Sequence, residues 1–373
     1  MQVKSENYIG LMSGTSLDGV DGVLVTLPNG EDSKSTACVE LLASVHLPFS
    51  AEFKQQAMAL QQSGDNEIER EALLANQLAT LYAACVHDLQ RQCPERQVQA
   101  IGAHGQTIRH RPELGFTRQT NNPALLAELT GLDVIADFRS RDIAAGGQGA
   151  PLVPAFHRAM FTQQGECRVV LNVGGISNIS VLHTDGRTVG FDTGPGNLLM
   201  DAWIQQHHAQ AYDADGAWAA QGQPNASLLA ALCDEAFFQL PPPKSTGRDL
   251  FHLAWLQKKL DSLGDISAVD VQASLCVFTA KTITDAIKQF APDCAAVYVC
   301  GGGAQNTCLM AALAQALPQV RWDKTDSLGI ASQHVEAIAF AWLAQRFVQR
   351  KAGNLSEVTG ARGLRILGAL YPA

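Results

Sequence analysis

The 373-residue sequence is short of the patterns that mark the common nucleotide and hydrolase sites. It has no GxxxxGK[ST], which excludes a P-loop, and no GxGxxG behind a strand, which argues against a dinucleotide-binding turn. A GxSxG nucleophile elbow and an HExxH zinc helix are both missing. The nine cysteines form no CxxC pair and show no metal-ligand spacing; Cys276, Cys300 and Cys308 lie in apolar surroundings and read as buried free thiols. No basic-then-apolar leader opens the chain and no apolar run approaches a membrane span, so the expected setting is a reducing cytoplasm. Positive charge is scarce as well. The formal net charge of -9 speaks against non-specific binding to nucleic acid or to an anionic membrane surface.

What is present is glycine, 32 residues of it, mostly at strand ends, in a chain whose 46% hydrophobic content supplies an ample core for about two domains. The stretch Tyr8 to Val25 organises the rest. It reads as a strand, a small-residue turn through Ser13, Gly14, Thr15 and Ser16, then Leu17, Asp18 and Gly19, and a second strand from Val20 that carries Asp21. Glycines at such a tip let backbone N–H groups point into the turn, and donors beside carboxylates suit a phosphate chain carrying magnesium. Alone, the stretch is equally a tight hairpin with a solvated Asp18. A similar hairpin further on shifts the balance.

In order, the pattern predicts a third strand over 37–47, helices over 51–62 and 67–92, and a strand over 98–103 that ends in His104, Gly105, Gln106 and Thr107. A short helix over 123–130 and a buried strand over 133–137 follow. Asp137, Arg139 and Asp142 then open a polar, glycine-rich segment, 138–151, which reads as the crossover between domains. The second half repeats the first in outline. A strand over 168–173 meets a tip at Gly174, Gly175 and Asn178, returning strands cover 179–183 and 188–192, and helices are expected near 197, over 226–238, 250–260 and 271–290. A strand over 296–300 runs into Gly301, Gly302, Gly303 and Asn306, and a last helix covers 333–349. The reading is α/β, with two related domains and a cleft between them faced by the two glycine-rich tips.

Two tips and a triple glycine give two phosphate clamps and one adenosine seat, since three glycines exceed what a strand-to-helix turn requires. Asp192 ends a strand directly before Thr193-Gly194-Pro195-Gly196, a good position for a general base. The competing role is a helix cap, but Asn197 is nearer that helix. Gln106 and Thr107 are candidates for sugar hydroxyls, while His104 reads better as a satisfied structural histidine. Asp137, Arg139 and Asp142 make an interdomain salt bridge or a substrate site, about equally. Lys244 to Asp249, behind three prolines, is an anion contact or a surface turn. Glu336 carries low weight on its surroundings alone.

The runs MSGTSLDGVDGVL, GAHGQT, ADFRSRDIAAGGQGAPLVP, NVGGISN, FDTGPGN, PPPKSTGRD and CGGGAQN, in that order, resemble the anhydro-N-acetylmuramic acid kinase family over nearly the whole chain. The resemblance implies two actin-like (ribonuclease H-like) domains, drawn here as 1–138 with 358–373, and 139–357. It implies ATP and Mg²⁺ as cofactors, with the ATP loop on Gly14 to Asp21 and the metal at Asp18, through water. It implies Asp192 as base, sugar contacts that include Thr107, Arg139 and Glu336, and 1,6-anhydro-N-acetylmuramic acid as substrate. The expected assembly is a homodimer.

Overall fold

The computed structural model of the chain describes residues 5–14, 16–29 and 39–373. The opening hairpin is present, β1 (Ser5–Met12) and β2 (Gly19–Pro28), followed by β3 (Glu40–Pro48). The expected start of β3 at Ala37 and Cys38, and the tip residue Thr15, lie outside the described residues. Next come β4 (Val98–Ala103), an outlying hairpin of β5 (Gln106–Arg111) and β6 (Phe116–Thr120), and β7 (Val134–Ala136). The pattern missed β5 and β6 because QTIRHR and FTRQT lack an apolar alternation; they pair with each other and stay outside the main sheet.

The second half contributes β8 (Arg168–Val173), β9 (Ile176–Leu182), β10 (Thr188–Pro195), β11 (Ala296–Cys300) and β12 (Arg321–Lys324). The duplication is clear in the pairing. The first sheet runs β3-β2-β1-β4-β7 and the second β10-β9-β8-β11-β12. In each the first three strands are antiparallel and the later two add in parallel. The first sheet gains one more strand, the C-terminal Ala369–Tyr371, antiparallel to β7. This is the duplicated α/β order expected from the sequence.

The chain divides into two compact units, 1–156 with 329–373, and 157–328. That differs from the division drawn from the sequence, since 139–156 and 329–357 go with the first unit. Two strand glycines give the reason. A Cβ on Gly10 of β1 would stand 1.9 Å from the Ala337 carbonyl oxygen, and one on Gly102 of β4 would stand 2.1 Å from that of Phe340. Helix Val335–Val348 therefore seats directly on the backbone of β1 and β4. Its residues Ala337 to Gln345 are all buried. On the other face, Leu74, Leu78, Tyr82 and Leu89 of helix Glu67–Gln92 pack with Ile9, Leu11, Leu24 and Ile101.

The second unit buries Val169, Leu171, Val181, Phe191, Val297 and Val299 against Leu275, Phe278 and Ile283 of helix Ala268–Phe290. Helices the pattern missed are Ser140–Ala144, Val153–Phe161, Thr307–Ala316 and the single turn Ser356–Thr359. The helix expected over 226–238 stops at Cys233, where Asp234 leaves helical geometry, and resumes as a short 3-10 turn. Of the three cysteines read as buried thiols, Cys276 and Cys300 are buried and Cys308 is half-buried. No described helix is long and apolar enough to cross a membrane.

Candidate active site

In the first unit a hydrogen-bonded knot holds the hairpin tip. Gly105 N donates to Tyr82 Oη at 3.1 Å, Ser13 Oγ donates to Gly105 O at 3.1 Å, and the two hydroxyls bond each other at 2.9 Å. Gln106 Nε2 donates to Gly14 O at 3.1 Å, so this candidate sugar contact also steers the glycine tip; its Oε1 is buried without a partner among the described residues. The seven described positions from Gly14 to Asp21 then separate by role. Leu17 and Val20 are core residues, Leu17 with a positive φ of 58°. Gly19 is needed because a Cβ would meet Leu47 O of β3 at 2.3 Å. Asp21 bonds His46 at 2.8 Å. Gly14, Ser16 and Asp18 remain open: a Cβ on Gly14 meets nothing nearer than 3.6 Å, and the exposed Asp18 carboxylate has no partner among the described residues.

The same unit builds a half-buried cation beside that tip. Arg139 Nη2 donates to His104 Nε2 at 2.9 Å and Nη1 donates to Gly149 O at 2.8 Å. Since Nε2 accepts, the ring proton sits on Nδ1, which faces Ser13 O at 3.3 Å. Burial, and then the charge of Arg139, push the His104 pKa down to about 3, so the ring stays neutral. Burial pulls Arg139 down to about 10, still a cation at neutral pH. Glu336, on the first turn of its helix, lies within electrostatic reach of Arg139; burial raises its pKa and Arg139 opposes the rise. The structure thus brings Arg139, Glu336 and His104 together. Asp137 and Thr107 are placed differently. Asp137 is exposed and accepts from Ser140 Oγ at 2.5 Å, and Thr107 accepts from Gln119 on β6 at 3.2 Å.

Asp142 is neither a substrate group nor half of an interdomain salt bridge. It is fully buried inside the first unit and accepts from Gly149 N at 2.8 Å, Asn354 Nδ2 at 2.7 Å and Thr359 Oγ1 at 2.8 Å. A Cβ on Gly147 would stand 2.2 Å from its Oδ2. The glycine-rich segment at 146–149 is therefore the packing that seats Asp142 and offers Gly149 O to Arg139.

In the second unit, Asp192 sits on β10 opposite Asn178 of β9, which in turn faces Asn172 of β8. Among the described residues its carboxylate takes one hydrogen bond, from Thr246 N to Oδ2 at 3.0 Å, while Asp192 N donates to Lys244 O at 3.1 Å. Burial raises its pKa to about 7 and the Thr246 bond opposes only part of that. Asn197 occupies the cap position of helix Leu198–His208, its amide reaching Val173 O at 3.4 Å, so Asp192 is not spent on capping. Thr246, within the Lys244–Asp249 run, supplies that donor, and its Oγ1 is buried with no partner among the described residues. The sequence signal for this loop was the proline-stiffened PPPKSTG run. Lys244 is turned to the backbone, donating to Phe237 O at 3.2 Å and lying 4.7 Å over the Phe237 ring.

The glycine loops of this unit separate in the same way. Gly174, Gly175 and Gly302 face open space, with nothing nearer than 3.6 Å to an added Cβ. Gly301 and Gly303 are packing positions, a Cβ standing 2.4 Å from Asn172 Oδ1 and 2.3 Å from Val173 Cγ1 respectively. Asn306 caps helix Thr307–Ala316, its Oδ1 accepting from Leu309 N at 3.0 Å. Gly196 N and Asn197 N donate to Gly175 O and Gly174 O, which laces the loop after Asp192 to the tip. The open glycines suit a ligand laid against backbone, and Asp18 suits a hard cation through water.

The family model for anhydro-N-acetylmuramic acid kinase matches residues 6–373. The chain belongs to that family. A relative of this name from Burkholderia cenocepacia is 55% identical over 372 residues, covering 98% of this chain and 96% of the relative. One from Cupriavidus metallidurans is 52% identical over 379 residues, with 99% and 98% coverage. Among solved structures, (R)-2-hydroxyglutaryl-CoA dehydratase component A from Acidaminococcus fermentans aligns over 90% of this chain and 96% of its own, at 10% identity and a TM-score of 0.49. This member of the anhydro-N-acetylmuramic acid kinase family, then, carries an underbonded carboxylate on β10 and a half-buried cation beside its first glycine tip.

Proposed function

We propose that the chain is an ATP-dependent kinase that opens the anhydro ring of 1,6-anhydro-N-acetylmuramic acid with water and phosphorylates oxygen 6, giving N-acetylmuramic acid 6-phosphate and ADP in peptidoglycan recycling. The observation that carries the reading is Asp192, a half-buried carboxylate with one hydrogen-bond donor among the described residues and a pKa that desolvation raises to about 7. In the anhydro sugar, oxygen 6 is bridged to carbon 1 and has no proton to lose, so a base cannot activate it. The base must act on water. Asp192 takes a proton from water as that water attacks carbon 1, and the bond from carbon 1 to oxygen 6 breaks. ATP, when bound, supplies the phosphoryl group that oxygen 6 accepts.

The remaining residues bind and orient. Gly14, Ser16, Gly174, Gly175 and Gly302 offer backbone and hydroxyl to the nucleotide, and Asp18 holds Mg²⁺ through water. Arg139, fixed by His104 and Gly149 O, contacts the sugar together with Glu336 and Gln106. The enzyme works as a homodimer in the cytoplasm.

A coupled ADP assay across a panel of amino sugars tests the reading. ADP should form with the anhydro sugar and with no other member of the panel. Equal ADP release without any sugar would indicate a nucleotide-switched interaction protein. Release with ordinary amino sugars would indicate a hydroxyl kinase.

A further inference from the structure

Three potential metal ligands meet in the second unit at the end of β8 opposite the Gly174 tip. Arg168 pairs with Leu182, so Cys167 and His183 lie just beyond the last rung of the β8–β9 ladder. Ala295 N donates to Cys167 O at 3.0 Å, which brings the segment before β11, with Asp293, to the same edge. The Cys167 thiol, a His183 ring nitrogen and an Asp293 carboxylate oxygen all lie within 4.8 Å of one another. A cavity of about 430 Å³ opens onto two of them, His183 and Asp293, is lined also by Asp185 and Phe290, and gives a hydrated ion a way in; Cys167 lies buried behind it. β8 is six residues long, so this edge is roughly 20 Å from the glycine tip.

We propose that Cys167, His183 and Asp293 bind a divalent transition-metal ion of the zinc and cobalt class, as three protein ligands of a tetrahedral site. One sulfur, one nitrogen and one oxygen donor suit such an ion and not Mg²⁺, which takes oxygen ligands. Ligand bonds in such sites are about 2.0–2.3 Å, so the three groups draw together on binding. Asp293 is exposed on a loop and free to swing inward. Asp185 is not the fourth ligand, because its carboxylate is held by Arg187 N at 3.0 Å and Arg187 Nε at 2.6 Å. Water takes that position. The ion displaces the thiol proton of Cys167 to solvent, a proton that burial and Asp293 otherwise hold tightly. Once bound, the metal ties the ends of β8 and β9 to the lead into β11, away from Asp192.

Cobalt(II) titration of the metal-free full chain tests the site, with Mg²⁺ present throughout. The wild type should take up one equivalent and show a thiolate-to-cobalt charge-transfer band with tetrahedral ligand-field absorption. Cys167→Ser should abolish the charge-transfer band. His183→Gln and Asp293→Asn, half-buried and exposed positions whose replacement leaves the core intact, should weaken binding by about 100-fold or more. Cys294→Ser, next to the cluster and outside it, should bind like the wild type. Absence of a saturable band in the wild type, its survival in Cys167→Ser, or unchanged affinity in both His183→Gln and Asp293→Asn would overturn the assignment. So would loss of the band in Cys294→Ser.

Discussion

Two aspartates, the buried Asp142 in the first unit and the half-buried Asp192 in the second, stand in polar, glycine-rich surroundings that look alike in sequence and differ in hydrogen bonding. Asp142 accepts from three donors, the nearby Gly149 amide and Asn354 and Thr359 from a segment more than two hundred residues on. Asp192 accepts from one, the Thr246 amide, and its pKa rises to about 7. A carboxylate saturated with donors serves as a joint; one left underbonded in a desolvated place keeps affinity for a proton, as a general base requires. The same contrast separates the glycines. Gly147, Gly301 and Gly303 fit where no Cβ can, whereas Gly14, Gly175 and Gly302 face open space.

Asp192→Asn gives the largest effect. The amide keeps the shape and loses the basicity, so kcat should fall by about 10²–10⁴-fold while the sugar KM changes much less. An equal loss in kcat and in sugar affinity would recast Asp192 as a binding group. Asp142→Ala should act on stability, because it strands three buried donors. A loss of about 3 kcal/mol or more is expected in urea unfolding. Near-normal stability with lost activity would erase the distinction between the two residues.

The pH dependence sharpens it. The folded pKa of Asp192 lies above its ordinary 3.8, so kcat/KM should rise as the carboxylate ionises, half-complete near pH 7, and the limb should vanish in Asp192→Asn. The native state also holds that proton more tightly than the unfolded chain. Its contribution to stability is therefore present in acid and lost as pH rises toward about 7, so at pH 8 Asp192→Asn should melt above the wild type. A lower melting temperature would contradict the raised pKa. The smallest effect belongs to Asp18→Asn on the exposed tip. The Mg²⁺ needed for half-maximal rate should rise several-fold, with the fold intact, whereas an unchanged Mg²⁺ dependence would remove Asp18 from the metal.

Local pattern carried much of this fold. Helix Glu67–Gln92 and strands β4, β8 and β11 begin and end where periodicity and glycine stops place them. The duplication was legible because strand, tip and returning strands occur twice at similar spacing. What local pattern does not encode is which distant segment covers a given face. Helix Val335–Val348 belongs to the first unit because Gly10 and Gly102 admit it, a match across more than two hundred residues of chain. The site shows the same limit. Asp192 lies on β10, but the strand runs past it to Pro195, its one donor among the described residues comes from Thr246, 54 residues on, and Asp142 could not be told from it without Asn354 and Thr359.

The central claim is that Asp192 activates water at carbon 1 and not at phosphorus. Turnover in heavy-oxygen water, quenched early because free sugars slowly exchange the oxygen on carbon 1, reads this directly. The account predicts one labelled oxygen on carbon 1 of the product and none on the phosphate. Label on the phosphate would mean attack at phosphorus, and the role given to Asp192 would be wrong.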